Sequence, residues 1–178
     1  MDSIKFAKYL EMIFFPLTPI ILSLLFIAFY VKTMLFENMV VLMSCAVIFS
    51  ISHMIIKDKV KEENKKYFIS SAVISITFFI LSQMVGVSHE IFFSGVTLFI
   101  VAVLTYSIRP HWKISAHMIG YVSMVTVLTF LNVKFLFLYI LVPLIAWSRL
   151  VLKRHNIYQI IAGTILGVLV PIFVSSLM

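Results

Sequence analysis

Three polar clusters interrupt an otherwise apolar second half of the chain: Arg109-Pro110, Lys113-Ile-Ser-Ala-His117, and Ser148-Arg149 followed by His155. Arginine offers phosphate oxygens a planar fork of N–H donors, lysine a point charge, and serine a further donor. Imidazole titrates near neutral pH, so one histidine can attack phosphorus while the other protonates the departing oxygen. Ser115 and His117 stand where an apolar run begins, and a helix N-terminus favours anions. None of these loops carries a carboxylate, so a dedicated divalent-metal site is not expected. No cofactor is expected either. Taken singly, Arg109, Lys113, Arg149, Lys153 and Arg154 read as headgroup anchors; in register with two histidines Arg109, Lys113 and Arg149 read as a phosphate site, while Lys153 and Arg154 remain headgroup contacts.

The spacing supports one shared site. From His117 the chain runs out along one apolar segment, turns at Asn132–Lys134, and returns along the next to Arg149. A helical pass of about 16 residues covers roughly 25 Å. Both ends of this hairpin therefore lie at one face, beside the Arg109 loop.

The elements that must position these residues follow from composition. Of 178 residues, 62% are hydrophobic and 12% charged, with mean hydropathy +1.13. A soluble domain of this size could not bury so much apolar surface. A bilayer pass takes about 20 apolar residues, so six or seven passes would use nearly the whole chain. The expected fold is all-α: a polytopic transmembrane bundle of six to seven helices forming a single membrane domain over 1–178. Apolar runs fall at about 12–31, 39–56, 67–85, 91–106, 116–131, 135–147 and from after His155 to Met178. They lack the alternation of a membrane barrel. The first run contains Pro16 and Pro19 and no small-residue cleavage pattern, and reads as a retained helix.

Charge gives an orientation. Twelve of the fourteen basic residues fall on the side of the N-terminus, the 57–66 loop and the motif loops, against Lys32 and Lys134 opposite. Without the two motif loops the count is still seven to two. The N-terminus and the site face are thus expected at the cytoplasmic side of the cell membrane. The net charge of +7 is explained by anionic headgroups, with no call for nucleic acid. Cys45, the single cysteine, reads as an inert thiol in an apolar run.

The three clusters resemble the signature of the type 2 phosphatidic acid phosphatases, relatives of the vanadium haloperoxidases. That signature is Lys, six residues, Arg-Pro; then Pro-Ser-Gly-His; then Ser-Arg, five residues, His, three residues, Asp. Here Arg109-Pro110, Ser115 and His117, and Ser148-Arg149 with His155 match within about residues 100–170. The resemblance implies His155 as the nucleophile forming a phosphohistidine and His117 as the acid for the leaving group. Arg109, Arg149 and Ser115 would hold phosphoryl oxygens. Two positions depart: Ala102 stands where the family has lysine, and Gln159 where it has aspartate. Lys113 can supply the missing charge from another direction. Gln159 can still orient His155 through its amide oxygen, but without negative charge. The implied activity is metal-independent hydrolysis of a lipid phosphate or prenyl diphosphate. The alternative is a non-catalytic lipid-phosphate binder or transport component on the same fold. Membrane lipids are the expected partners, and the oligomeric state is not legible.

The remaining features have simpler readings. His53 and His89 near helix ends read as interfacial, and Glu90 as a partner of a helix dipole. Trp112 and Trp147 read as interfacial belt residues. Gly163 and Gly167 form a small-xxx-small pair suited to close helix packing.

Overall fold

The computed structural model describes residues 3–14, 17–31, 34–59 and 63–178, with side chains except at 17–23, 53, 57–59, 63–68 and 71. The described residues are helical, with no strand among them. In chain order they form α1 (Ser3–Ile13), α2 (Leu17–Val31), α3 (Leu35–Lys59), α4 (Glu63–Val85), α5 (His89–Ile108) and α6 (Ala116–Leu131). A 3-10 helix (Val133–Leu141), α7 (Val142–Val151) and α8 (Ile157–Leu177) complete the order. Four stretches are long and apolar enough to cross a bilayer: Leu35–Ile56, His89–Ile108, Val133–Val151 and Ile157–Leu177. Ala72–Val85 and Ala116–Leu131 are apolar but shorter.

Several expected boundaries change. The first apolar run is preceded by a separate helix, α1, because Ala7 and Leu10, three apart, give residues 3–13 a buried stripe. The expected 57–66 loop is partly helical: α3 continues to Lys59 and α4 begins at Glu63. The side chains of that segment and of His53 lie outside the described residues. The return pass is two helices. Pro143 has no N–H to offer the Tyr139 carbonyl, and the Val142 N–H takes that carbonyl instead in a tighter 3-10 bond.

Contacts divide the chain into two units, residues 24–106 and residues 1–23 with 107–178. In the first, α3 packs on α4. Gly86, at φ +83, ends α4 by turning the chain left-handed. The Ser88 N–H then donates to Asn38 Oδ1 at 2.9 Å, and Asn38 Nδ2 donates to Ser88 Oγ at 3.2 Å. This buried pair ties the start of α3 to the turn before α5.

The second unit is built around α6, which is buried continuously from Met118 to Leu128. A helix apolar on every face belongs inside a bundle. Between helices in lipid the hydrophobic drive is weak, so close packing and hydrogen bonds must hold them. Both are present. Tyr121 donates to the Leu138 carbonyl at 2.9 Å, and the hydroxyls of Thr126 and Tyr139 pair at 2.6 Å. The small-xxx-small pair lets α8 lie against α6. A Cβ at Gly167 would fall 2.7 Å from Val122 Cβ, and one at Gly163 would fall 3.0 Å from the Ser115 carbonyl. Gly167→Ala should therefore lower the thermal midpoint in detergent, at a cost of about 1–3 kcal/mol. An unchanged midpoint would contradict this close packing.

Candidate active site

The α6–α8 contact also assembles the polar end of the second unit. Ser115 precedes α6 in an extended conformation, and its N–H donates to the Gln159 carbonyl at 3.4 Å. Its hydroxyl caps none of the first-turn N–H groups of α6. Ser115 is fully buried, and its Oγ has no partner. An unsatisfied buried hydroxyl costs about 1–3 kcal/mol. Such an atom stands ready for an incoming acceptor.

At the start of α8, Asn156 and Gln159 form a reciprocal cap. The Gln159 N–H donates to Asn156 Oδ1 at 2.9 Å, and the Asn156 N–H donates to Gln159 Oε1 at 3.1 Å. The second bond fixes which end of the Gln159 amide is oxygen. That same oxygen lies 3.3 Å from His155 Nδ1, and the Lys113 carbonyl lies 3.1 Å from it. Both neighbours are acceptors, so Nδ1 carries the imidazole proton and Nε2 keeps its lone pair.

Burial holds the His155 imidazole below the ordinary histidine value of 6.5, while its hydrogen bonds to Lys113 and Gln159 act in the opposite direction. The neutral form is thus favoured in the folded protein. The associated stability is present above pH 6.5 and is lost as pH falls through the lower folded value. An NMR titration should accordingly place the His155 midpoint below 6.5. Gln159→Glu, which keeps side-chain length and adds a charge, should move it upward. A midpoint unmoved by that change would separate Gln159 from His155.

Arg149, near the end of α7, is 1% exposed. Its Nη1 donates to Glu11 Oε1 at 2.9 Å and lies 3.2 Å from His117 Nε2, on the first turn of α6. Its Nη2 donates to Ser148 Oγ at 3.1 Å, and Ser148 donates to the Ala7 carbonyl of α1 at 2.9 Å. The buried Nε has no partner. Arg109, in the turn after α5, lies within electrostatic reach of His117, as do Arg149, Arg154 and His155. Lys113 is exposed, and its charge lies within reach of His155.

His117, Arg149, Ser115, His155, Gln159, Lys113 and Arg109 therefore gather at one end of the second unit. Glu11 is an addition that the motif loops do not contain. Those loops hold no carboxylate, yet α1 brings one to Arg149 across 138 sequence positions. Arg154, read as a headgroup contact, reaches the same carboxylate, its Nε 3.6 Å from Glu11 Oε1. Nothing in the local sequence marks Glu11. The Gln159 cap, by contrast, has a local signal, Asn-x-x-Gln ahead of an apolar run.

The described residues thus combine apolar, bilayer-length helices with histidines and arginines clustered at a helix N-terminus. More narrowly, residues 88–178, just over half of the chain, match the PAP2 superfamily, and the chain belongs to that superfamily. Membership points to phosphatase-type chemistry on phosphate esters. No curated protein and no solved structure matches the chain.

Proposed function

We propose that the protein is a metal-independent membrane phosphatase that hydrolyses a lipid phosphate or prenyl diphosphate through a phosphohistidine on His155. The observation that carries this reading is the imidazole itself: Nδ1 is held between two acceptors, at 3.1 and 3.3 Å, which leaves Nε2 as a nucleophile. In the first step Nε2 forms a bond to phosphorus as the ester P–O bond of a lipid phosphate, or the anhydride P–O bond of a diphosphate, breaks, and His117 gives its proton to the departing oxygen. In the second, water attacks phosphorus as the P–N bond breaks and its electron pair returns to Nε2, His117 takes the water proton, and phosphate leaves. A phosphate dianion beside His117 favours the protonated form that the first step needs. Arg109, Arg149, Lys113 and Ser115 supply donors to the phosphoryl oxygens. Glu11 is a poor start for a divalent-metal site, since two arginines already surround it.

The substrate's apolar tail would remain in the bilayer, within a single membrane domain of six or seven passes. The test is phosphate release from such a lipid by purified protein in the presence of a chelator. Phosphate retained on the lipid under all conditions would refute the enzyme. Ala102 and Gln159, in place of lysine and aspartate, favour a second reading, a lipid-phosphate binder without turnover. Lipid phosphate bound but never hydrolysed, with binding lost in Arg149→Ala, would support it.

The charge distribution supports a cell-membrane protein whose N-terminus and site face the cytoplasm. With Cys45 replaced by alanine, Lys113→Cys should resist an impermeant thiol reagent in intact cells, while Lys134→Cys should react. The opposite pattern would reverse the orientation.

A further inference from the structure

Two groups assigned to phosphate chemistry are already engaged by other groups within the fold. Arg149 Nη1 donates to Glu11 Oε1 at 2.9 Å. The same nitrogen lies 3.2 Å from His117 Nε2. A guanidinium nitrogen only donates, so His117 Nε2 is the acceptor in this contact and carries no proton there. The arginine is holding a carboxylate, and the histidine is held in a state that cannot act as an acid through that nitrogen. Meanwhile Arg149 Nε and Ser115 Oγ, both buried, have no partner at all.

A carboxylate and a phosphoryl group are alternative anions for one guanidinium fork. Glu11 is also placed so that it can leave without being stranded. Its side chain is 27% exposed, and Arg154, 60% exposed, stands 3.6 Å away as a second cation. The helix that carries it is fixed: Ala7 and Leu10 are buried, and Ser148 bonds the Ala7 carbonyl. Phe6 of α1 also packs against Trp147 of α7, with ring centroids 5.9 Å apart. The carboxylate is therefore presented to Arg149 by an anchored helix.

We propose that Glu11 is the resting occupant of the anion site and exchanges with the phosphoryl group at Arg149. Arg149 Nη1 meets both Glu11 and His117, so an incoming anion that draws this nitrogen onto itself also loosens its contact with His117, and anion binding and the arming of the acid occur together. Glu11 thus acts through Arg149 as a positioning residue that sets phosphate affinity. The proposal rests on the phosphate-site reading above.

The test is a titration of the full chain in detergent with inorganic phosphate, followed by 31P NMR. Glu11→Gln should bind phosphate about tenfold more tightly than the unaltered protein, because the competing charge is gone while the side-chain length is kept. Glu11→Ala should shift affinity in the same direction. A merely structural Glu11 predicts the reverse, since Arg149 would lose its support and bind phosphate less well. Equal or weaker binding by both variants overturns the exchange while leaving the phosphate site intact. Absence of phosphate binding from all three proteins overturns the phosphate site, and the exchange with it.

Discussion

His155→Ala is expected to abolish phosphate release, with a loss on the order of 10³-fold or more, because it removes the atom to which phosphorus would be transferred. The loss should not come from unfolding. His155 is only partly buried and touches two acceptors, the Lys113 carbonyl and Gln159 Oε1. After truncation Gln159 Oε1 still accepts from the Asn156 N–H, so the cap of α8 survives. The expected stability cost is about 1 kcal/mol, the worth of an ordinary hydrogen bond. His155→Asn should be inactive as well: its amide can donate to the same acceptors but cannot attack phosphorus. The checks are phosphate release under single-turnover conditions and the thermal midpoint of each variant. Full activity in either would remove His155 from the chemistry.

Arg149→Ala should damage binding and stability together, and binding more. The guanidinium bridges three elements: it bonds Glu11 of α1, contacts His117 of α6, and supports Ser148 of its own helix. Its removal leaves the Glu11 carboxylate with only the longer Arg154 contact. Losing one partner of a buried charge pair costs about 3–5 kcal/mol, and the exposure of Glu11 to water places this case nearer 2. For a bound phosphate the loss of a charged fork should weaken affinity by about 100-fold. Arg149→Lys should recover part of the charge but not the bidentate geometry. Phosphate titration and thermal unfolding in detergent report the two effects separately. A variant that unfolds earlier yet binds phosphate normally would make Arg149 a structural residue only.

What could be read from the sequence was what local pattern encodes. The run from Ala116 to Leu131 is continuously apolar and bounded by Ser115 and Asn132, and α6 has those limits. Gly163 and Gly167 lie where a smaller face is needed, and α6 presses against that face. From His117 to Arg149, helix length and one turn suffice to bring the two ends to one face, and the two side chains meet at 3.2 Å. The failures share a cause. Glu11 is joined to Arg149 by tertiary packing of an N-terminal helix, and no periodicity connects residues so far apart. The lysines of α1 interrupt its apolar pattern, so the shared buried face of Ala7 and Leu10 is weakly marked in the sequence. Pro143 is the local sign of the 3-10 segment, but the apolar pattern alone does not distinguish helix types. For Gln159 the sequence implies an amide oxygen that orients His155 without adding negative charge. Its amide also closes the cap of α8, a role that one oxygen shares with holding His155.

The central claim is that His155 carries the phosphoryl group. Rapid-quench reaction with a 32P-labelled lipid phosphate, followed by alkaline work-up and peptide mass spectrometry, tests it directly. Phosphate should appear on His155, should chase away with unlabelled substrate, and should be absent from His155→Ala. Turnover with no phosphorylated histidine, or with phosphate on another residue, would contradict the account.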